Sequence, residues 1–169
     1  MLIKLLQLNI FILLFSFFIS SLSVSEEILE IEIDNPKFSE KGLDDKTYEI
    51  KAKKGLKSDM NLKLFTVEGK FKSDNNGKWI YMEADEGNYD QSSNLIELKK
   101  NISFYTNDGE MIKSNYAIFD IKNDIIKLKD NISHNINEVL IVADNSTISK
   151  NFNNFEYKGN VSTTLIIKD

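Results

Sequence analysis

Few residues in this chain could do covalent chemistry. It holds no cysteine, which removes a thiolate nucleophile, a thiolate metal site and any disulfide. The one imidazole is His134. A repeat described below puts it in a slot that Phe104 and Thr163 fill elsewhere, the place of a structural residue rather than a catalytic one. The carboxylate pairs Asp44/Asp45 and Asp85/Glu86 are of the type that serves general acid–base catalysis. Neighbouring side chains on a strand point to opposite faces, however, so neither pair converges on one substrate. Positive charge comes from lysine alone, with no arginine, and the net charge is −5. Both facts count against a nucleic-acid partner, which favours the planar guanidinium and a basic surface. The residue types imply no enzyme, no cofactor and no metal. What the chain offers instead is apolar side chains in a fixed order.

That order is a register returning about every 30 residues. Asn101-Ile102-Ser103, Asn131-Ile132-Ser133 and Asn160-Val161-Ser162 occupy one slot, at spacings of 30 and 29. Tyr89, Phe119 and Ile148 occupy another, as do Leu98, Leu128 and Tyr157, and Ile96, Ile126 and Phe155. A period of this length means a stack of supersecondary units. The three Asn-x-Ser triplets and Asn145-Ser146-Thr147 also match the glycosylation acceptor pattern; in an asparagine-rich repeat they read as turn residues.

The elements that carry these slots are strands. Ile31 and Ile33 alternate with Glu30, Glu32 and Asp34; Tyr48, Ile50 and Ala52 alternate with Glu49, Lys51 and Lys53. Lys53 to Met60 has turn composition. Phe65, Val67, Gly69 and Phe71 then form a strand facing inward at period two, and Ser73-Asp74-Asn75-Asn76-Gly77 reads as a hairpin turn. Ile80, Met82 and Ala84 follow on one face. The alternation then slips by one residue between Ala84 and Gly87, again between Ser114 and Ala117, and again between Ala143 and Ser146. A recurrent slip of this kind predicts a β-bulge or kink that curves the sheet. About four units result, over 48–71, 80–104, 110–134 and 139–163. The expected fold is all-β, antiparallel, curved into two facing sheets. Lys63, Lys70, Lys72, Lys113 and Lys127 fall on its solvated face.

The N-terminus is different. Leu5 to Val24 carries no charge, and about 20 helical residues span a bilayer's hydrocarbon core. Lys4 precedes the run and Glu26 and Glu27 follow it, which orients the rest of the chain across the membrane. Two readings stand open: an uncleaved anchor, favoured by the length of the run, and a cleaved signal, allowed by the small residues of Ser21-Leu22-Ser23 and Ser23-Val24-Ser25. Residues 1–25 are assigned to this segment and 26–169 to an exported domain.

Asn35-Pro36-Lys37-Phe38 followed by Tyr48-Glu49-Ile50-Lys51-Ala52 resembles the start of the periplasmic domain of the LptC family, the anchored component of lipopolysaccharide export. Ala84-Asp85-Glu86-Gly87-Asn88-Tyr89-Asp90, then Ile96-Glu97-Leu98 and Asn101-Ile102, is similar to that family's central pattern. Asp108-Gly109, Ile112 and Phe119-Asp120 continue it, and Phe155-Glu156-Tyr157-Lys158-Gly159-Asn160-Val161 resembles its final strand. The resemblance implies a twisted, open β-jellyroll in the periplasm behind one transmembrane helix in the inner membrane. It implies that lipopolysaccharide acyl chains pass along the interior. It implies partnership with the LptB–LptF–LptG transporter through the helix and with the bridge protein LptA through the C-terminal edge strand. A cleaved N-terminus would suit a soluble, LptA-like bridge instead.

The candidate lipid-binding residues are the inward positions Ile80, Met82, Tyr89, Ile96, Leu98, Phe104, Ile112, Phe119, Ile126, Leu128, Ile141, Ile148, Phe155 and Tyr157. The same residues would equally form an ordinary dry core, and the two readings stay side by side. A purely structural or adhesive β-repeat protein is the competing function.

Overall fold

The computed structural model describes residues 30–42, 46–73, 78–149 and 152–166. The apolar run Leu5–Val24, the Asp44/Asp45 pair and the Asn76-Gly77 hairpin lie outside these. Eleven strands form one antiparallel sheet: β1 (Ile31–Asp34), β2 (Lys37–Lys41), β3 (Thr47–Ser58), β4 (Asn61–Lys72), β5 (Trp79–Asp90), β6 (Leu95–Thr106), β7 (Met111–Asp120), β8 (Ile125–Ile136), β9 (Val139–Ser149), β10 (Asn154–Lys158) and β11 (Ser162–Leu165). Consecutive long strands pair as hairpins from β3 to β9. Both β1 and β2 pair with β3 at one end, and both β10 and β11 pair with β9 at the other. The terminal strands do not meet, so the sheet is open.

Every long strand is interrupted at one line across the sheet. In β5, β7 and β9 the buried residues step by three, from Ala84 to Gly87, Ser114 to Ala117 and Ala143 to Ser146. The extra residue that absorbs each step sits on the neighbouring strand, where the register shifts at Lys99/Ile102 of β6 and Lys129/Ile132 of β8. Lys100 and Asn101, and Asp130 and Asn131, take positive φ there, between 49° and 66°. Gly159 and Asn160 do the same, at 73° and 44°, and break what would be one strand into β10 and β11. Asn35, at φ 49° beside the buried Pro36, does so between β1 and β2. The repeating asparagines are therefore corner residues inside the strands, not hairpin turns. Asparagine fits because its short polar side chain tolerates the left-handed region and bonds locally. Asn101 Nδ2 donates to Asp85 Oδ2 at 2.8 Å, and Asn160 Nδ2 to Asp144 Oδ2 at 2.9 Å.

The corner overturns three sequence readings. Asp85 and Glu86 do not alternate: Ala84 and Gly87 point inward, so both carboxylates lie outside. They still do not converge, since Asp85 holds Asn101 and Glu86 holds Lys100 at 2.6 Å. Phe65 is not an inward residue. Thr66, at φ 54°, switches the phase so that Leu64 and Val67 are buried and Phe65 faces out beneath the Lys63 ammonium. Lys53 to Met60 is not a turn: β3 runs to Ser58, paired to Asn61, because cross-strand pairing overrides local composition. Gly55 packs closely there, as a Cβ on it would lie 3.1 Å from Pro36 Cγ.

The corner folds the sheet into two layers. The front layer holds β2, 47–52 of β3, 67–72 of β4, 79–84 of β5, 102–106 of β6, 111–114 of β7, 132–136 of β8, 139–143 of β9, and β11. The back layer holds β1, the remaining halves of the long strands, and β10. The layers meet through aromatic pairs distant in the sheet: Phe38 on Tyr89 at 4.7 Å, Tyr48 on Phe119 at 5.1 Å, Phe71 on Phe119 at 5.5 Å. The two facing sheets expected from the sequence are thus halves of one. They are also staggered, each front-layer strand lying over a back-layer strand several positions further on. Among the described residues, the front-layer parts of β9 and β11 are less covered: Val139 and Ile141 are half-buried and Leu165 is exposed.

Candidate functional site

The space between the layers is lined from the front by Ile80, Met82, Phe104 and Ile112. Tyr89, Ile96, Leu98, Phe119, Ile126, Leu128 and Ile148 line it from the back. Each of these residues is 3% exposed or less. Ile141, Phe155 and Tyr157 are half-buried, and all three sit at the C-terminal end, where the stagger runs out. Eleven of the candidates belong to one core, Phe155 and Tyr157 pack against it, and Ile141 is placed beside it only by its register with His134. The N-terminal part is tightly packed: the gap lined by Tyr48, Glu49, Ile50, Gly69, Lys70, Phe71, Met82 and Phe119 has no room for a water. A cleft of about 310 Å³ lies instead on the outer face, between rows of paired charges and the stacked Tyr81 and Tyr105.

Among the described residues the Tyr89 hydroxyl of the back layer bonds Glu40 of β2 in the front layer, and two further polar contacts cross between the layers. In the first, Lys46 Nζ lies 2.8 Å from Asp124 Oδ1, with the side chains 2% and 5% exposed. The Tyr48 hydroxyl donates to the same oxygen at 2.7 Å. Lys46 leads into β3 in the front layer, and Asp124 closes the β7–β8 turn of the back layer.

The second is built around His134, in the slot predicted to be structural. Its Nε2 lies 3.1 Å from Glu110 Oε1, and its Nδ1 meets the Tyr157 hydroxyl of β10. Lys78 Nζ reaches the other Glu110 oxygen at 2.6 Å. Burial raises the Glu110 pKa, but hydrogen bonds from His134 and Lys78 outweigh it and hold the carboxyl below its ordinary value. Burial, aided by the Glu110 charge, pushes Tyr157 up to about 12, so its hydroxyl keeps its proton at neutral pH. In the neutral ring, Nε2–H then donates to Glu110 and Nδ1 accepts from Tyr157. Phe155 packs on the imidazole at 4.6 Å, and Phe152 bridges from Phe155 at 5.2 Å to Phe104 at 6.3 Å.

Beside β10 in the sheet, Ser146 of β9 is paired in register with Tyr157 and Leu128. It is 3% exposed, and its Oγ is the only buried side-chain polar atom without a hydrogen bond among the described residues.

Sequence reasoning missed Lys46, Lys78, Glu110 and Asp124, which stand outside the repeating slots. His134 was the available signal: an imidazole in an inward slot requires buried partners. No protein-family model matches the chain, and no curated protein matches it.

Proposed function

We propose that the chain carries the acyl chains of lipopolysaccharide along its interior, as a component similar to LptC. On this reading the domain is a twisted, open β-jellyroll in the periplasm, and residues 1–25 are its inner-membrane anchor. That segment docks on the LptB–LptF–LptG transporter, and the C-terminal edge passes cargo to LptA. The observation that carries the reading is the stagger of the layers. The inward rows that are sealed at Phe104 and Ile112 continue into Ile141 and Thr163, and Val139 and Leu165 lie beside them. There the interior reaches the surface, with Leu165 71% exposed. Each methylene taken from water there is worth about 0.8 kcal/mol, so the chains rather than a head group supply affinity. β10 and β11 hydrogen-bond only to β9, which leaves edges of the kind used in strand addition.

Photocrosslinkers at Phe119 and Leu128 should capture lipopolysaccharide during ATP-driven export. Capture at Lys127 with none at those two overturns the proposal. A second reading, a structural β-repeat with a permanently dry core, is favoured by the tightly packed N-terminal part and predicts no lipid adducts. An LptA-like soluble bridge is separated by fractionation: it would wash off the membrane in carbonate with a mature start near Glu26.

A further inference from the structure

β10, like β2 at the other end of the sheet, is a five-residue edge strand over the interior. It pairs with β9 alone, and is joined to β11 only through the left-handed pair Gly159-Asn160. Edge strands with one neighbour open locally at low free energy. Yet β10 carries Phe155 and Tyr157, which close the C-terminal end of the interior, and Tyr157 is its one polar tie to the front layer. Beside it lie groups that an apolar core does not need: the orphaned Ser146 hydroxyl and the His134 imidazole.

We propose that β10 is a gate over the C-terminal end of the interior, with Tyr157 on His134 as its catch, and that the groups it uncovers seat the uncharged ester or amide of an acylated ligand. When Tyr157 swings away, His134 Nδ1 loses its donor and becomes an acceptor for a ligand, and Ser146 stands on the strand that Tyr157 has left. Ser146 Oγ can donate to a ligand carbonyl, and Nδ1 can accept an amide N–H. A charged group fits less well. Glu110 already takes Lys78 on one oxygen and His134 on the other, and Lys78 also holds Asp108 at 3.2 Å, so an added anion would meet two carboxylates. Leu128, Ile148 and Phe104 supply the apolar wall for the chain. The inference rests on the carrier reading above for its ligand, but not for its gate.

The test uses the full chain. Hydrogen exchange followed by mass spectrometry reads the gate, and two pyrene-labelled probes, a long-chain fatty-acid methyl ester and the matching alkane, read the seat. Tyr157→Phe keeps the ring and removes the catch. It should raise exchange across 154–158 about tenfold, leave 125–129 of β8 unchanged as a control for folding, and speed ester uptake. Unchanged exchange in 154–158 overturns the gate. Ser146→Ala should weaken the ester about tenfold, as loss of one buried hydrogen bond does, with the alkane unaffected. It should not destabilise the empty protein, because the hydroxyl it removes is unpaired there. Equal loss for both probes overturns the seat. If exchange rises but no variant binds either probe, the gate stands and the carrier reading, with its seat, fails.

Discussion

Two of the polar contacts that join the layers use similar chemistry to different ends. Lys46–Asp124 fastens β3 to the turn between β7 and β8, strands with neighbours on both sides. Glu110–His134–Tyr157 fastens the front layer to an edge strand. A buried ion pair on a strand held from both sides can part only with the sheet around it. A hydrogen bond to an edge strand can part alone. The N-terminal contact is thus a fixed fastening and the C-terminal one a releasable one.

The comparison breaks most readily at the fixed contact. Asp124→Ala takes the carboxylate from a buried ammonium, and the cost of such a loss is about 3–5 kcal/mol. Urea unfolding should show that loss in the whole sheet. Tyr157→Phe, by contrast, should change global stability by about 1 kcal/mol at most. Similar losses from the two variants would erase the distinction between fastenings.

A smaller effect tests the corner that lets the two ends differ. Asn101→Val places a β-branched residue at positive φ and should cost about 1–2 kcal/mol, against a few tenths for Asn101→Gly. The midpoint of denaturant unfolding reads both. Equal effects would mean that the left-handed corner carries no strain for an ordinary side chain.

The smallest effect is on pH. The Glu110 carboxyl lies below its ordinary value of 4.5, so its stabilisation is complete above that value. It is lost as pH falls through the lower, folded-state value. Exchange in 154–158 should therefore rise on acidification beyond the intrinsic trend, and Glu110→Gln should abolish that excess. An excess that persists in Glu110→Gln would assign the acid response elsewhere.

The strands, the antiparallel architecture and the inward rows were legible because burial writes period two into the residues, whereas the openness of the sheet was implied only by the resemblance. The corner was legible only in alternate strands. The three-residue steps in β5, β7 and β9 invert the alternation and show plainly. The extra residue in β6 leaves Leu98 and Ile102 four apart, so parity is kept and the bulge is silent. The asparagine triplets announced the corner without revealing their conformation, since asparagine serves turns and left-handed bulges alike. Layer stagger and the Lys46–Asp124 and Lys78–Glu110 pairs were not legible, because they depend on how far the folded halves slide past one another. No local pattern encodes that distance.

The tightly packed N-terminal part sets the most direct test of the account. A carrier whose interior has no room for a water there must part its layers to load. The chain has no cysteine, so spin labels can be placed on the outward faces at Lys51→Cys in the front layer and Lys127→Cys in the back layer. Pulsed electron resonance should show the distance between them lengthening when lipopolysaccharide is added. A distance that stays fixed while lipopolysaccharide binds would place the lipid outside the interior and contradict the account.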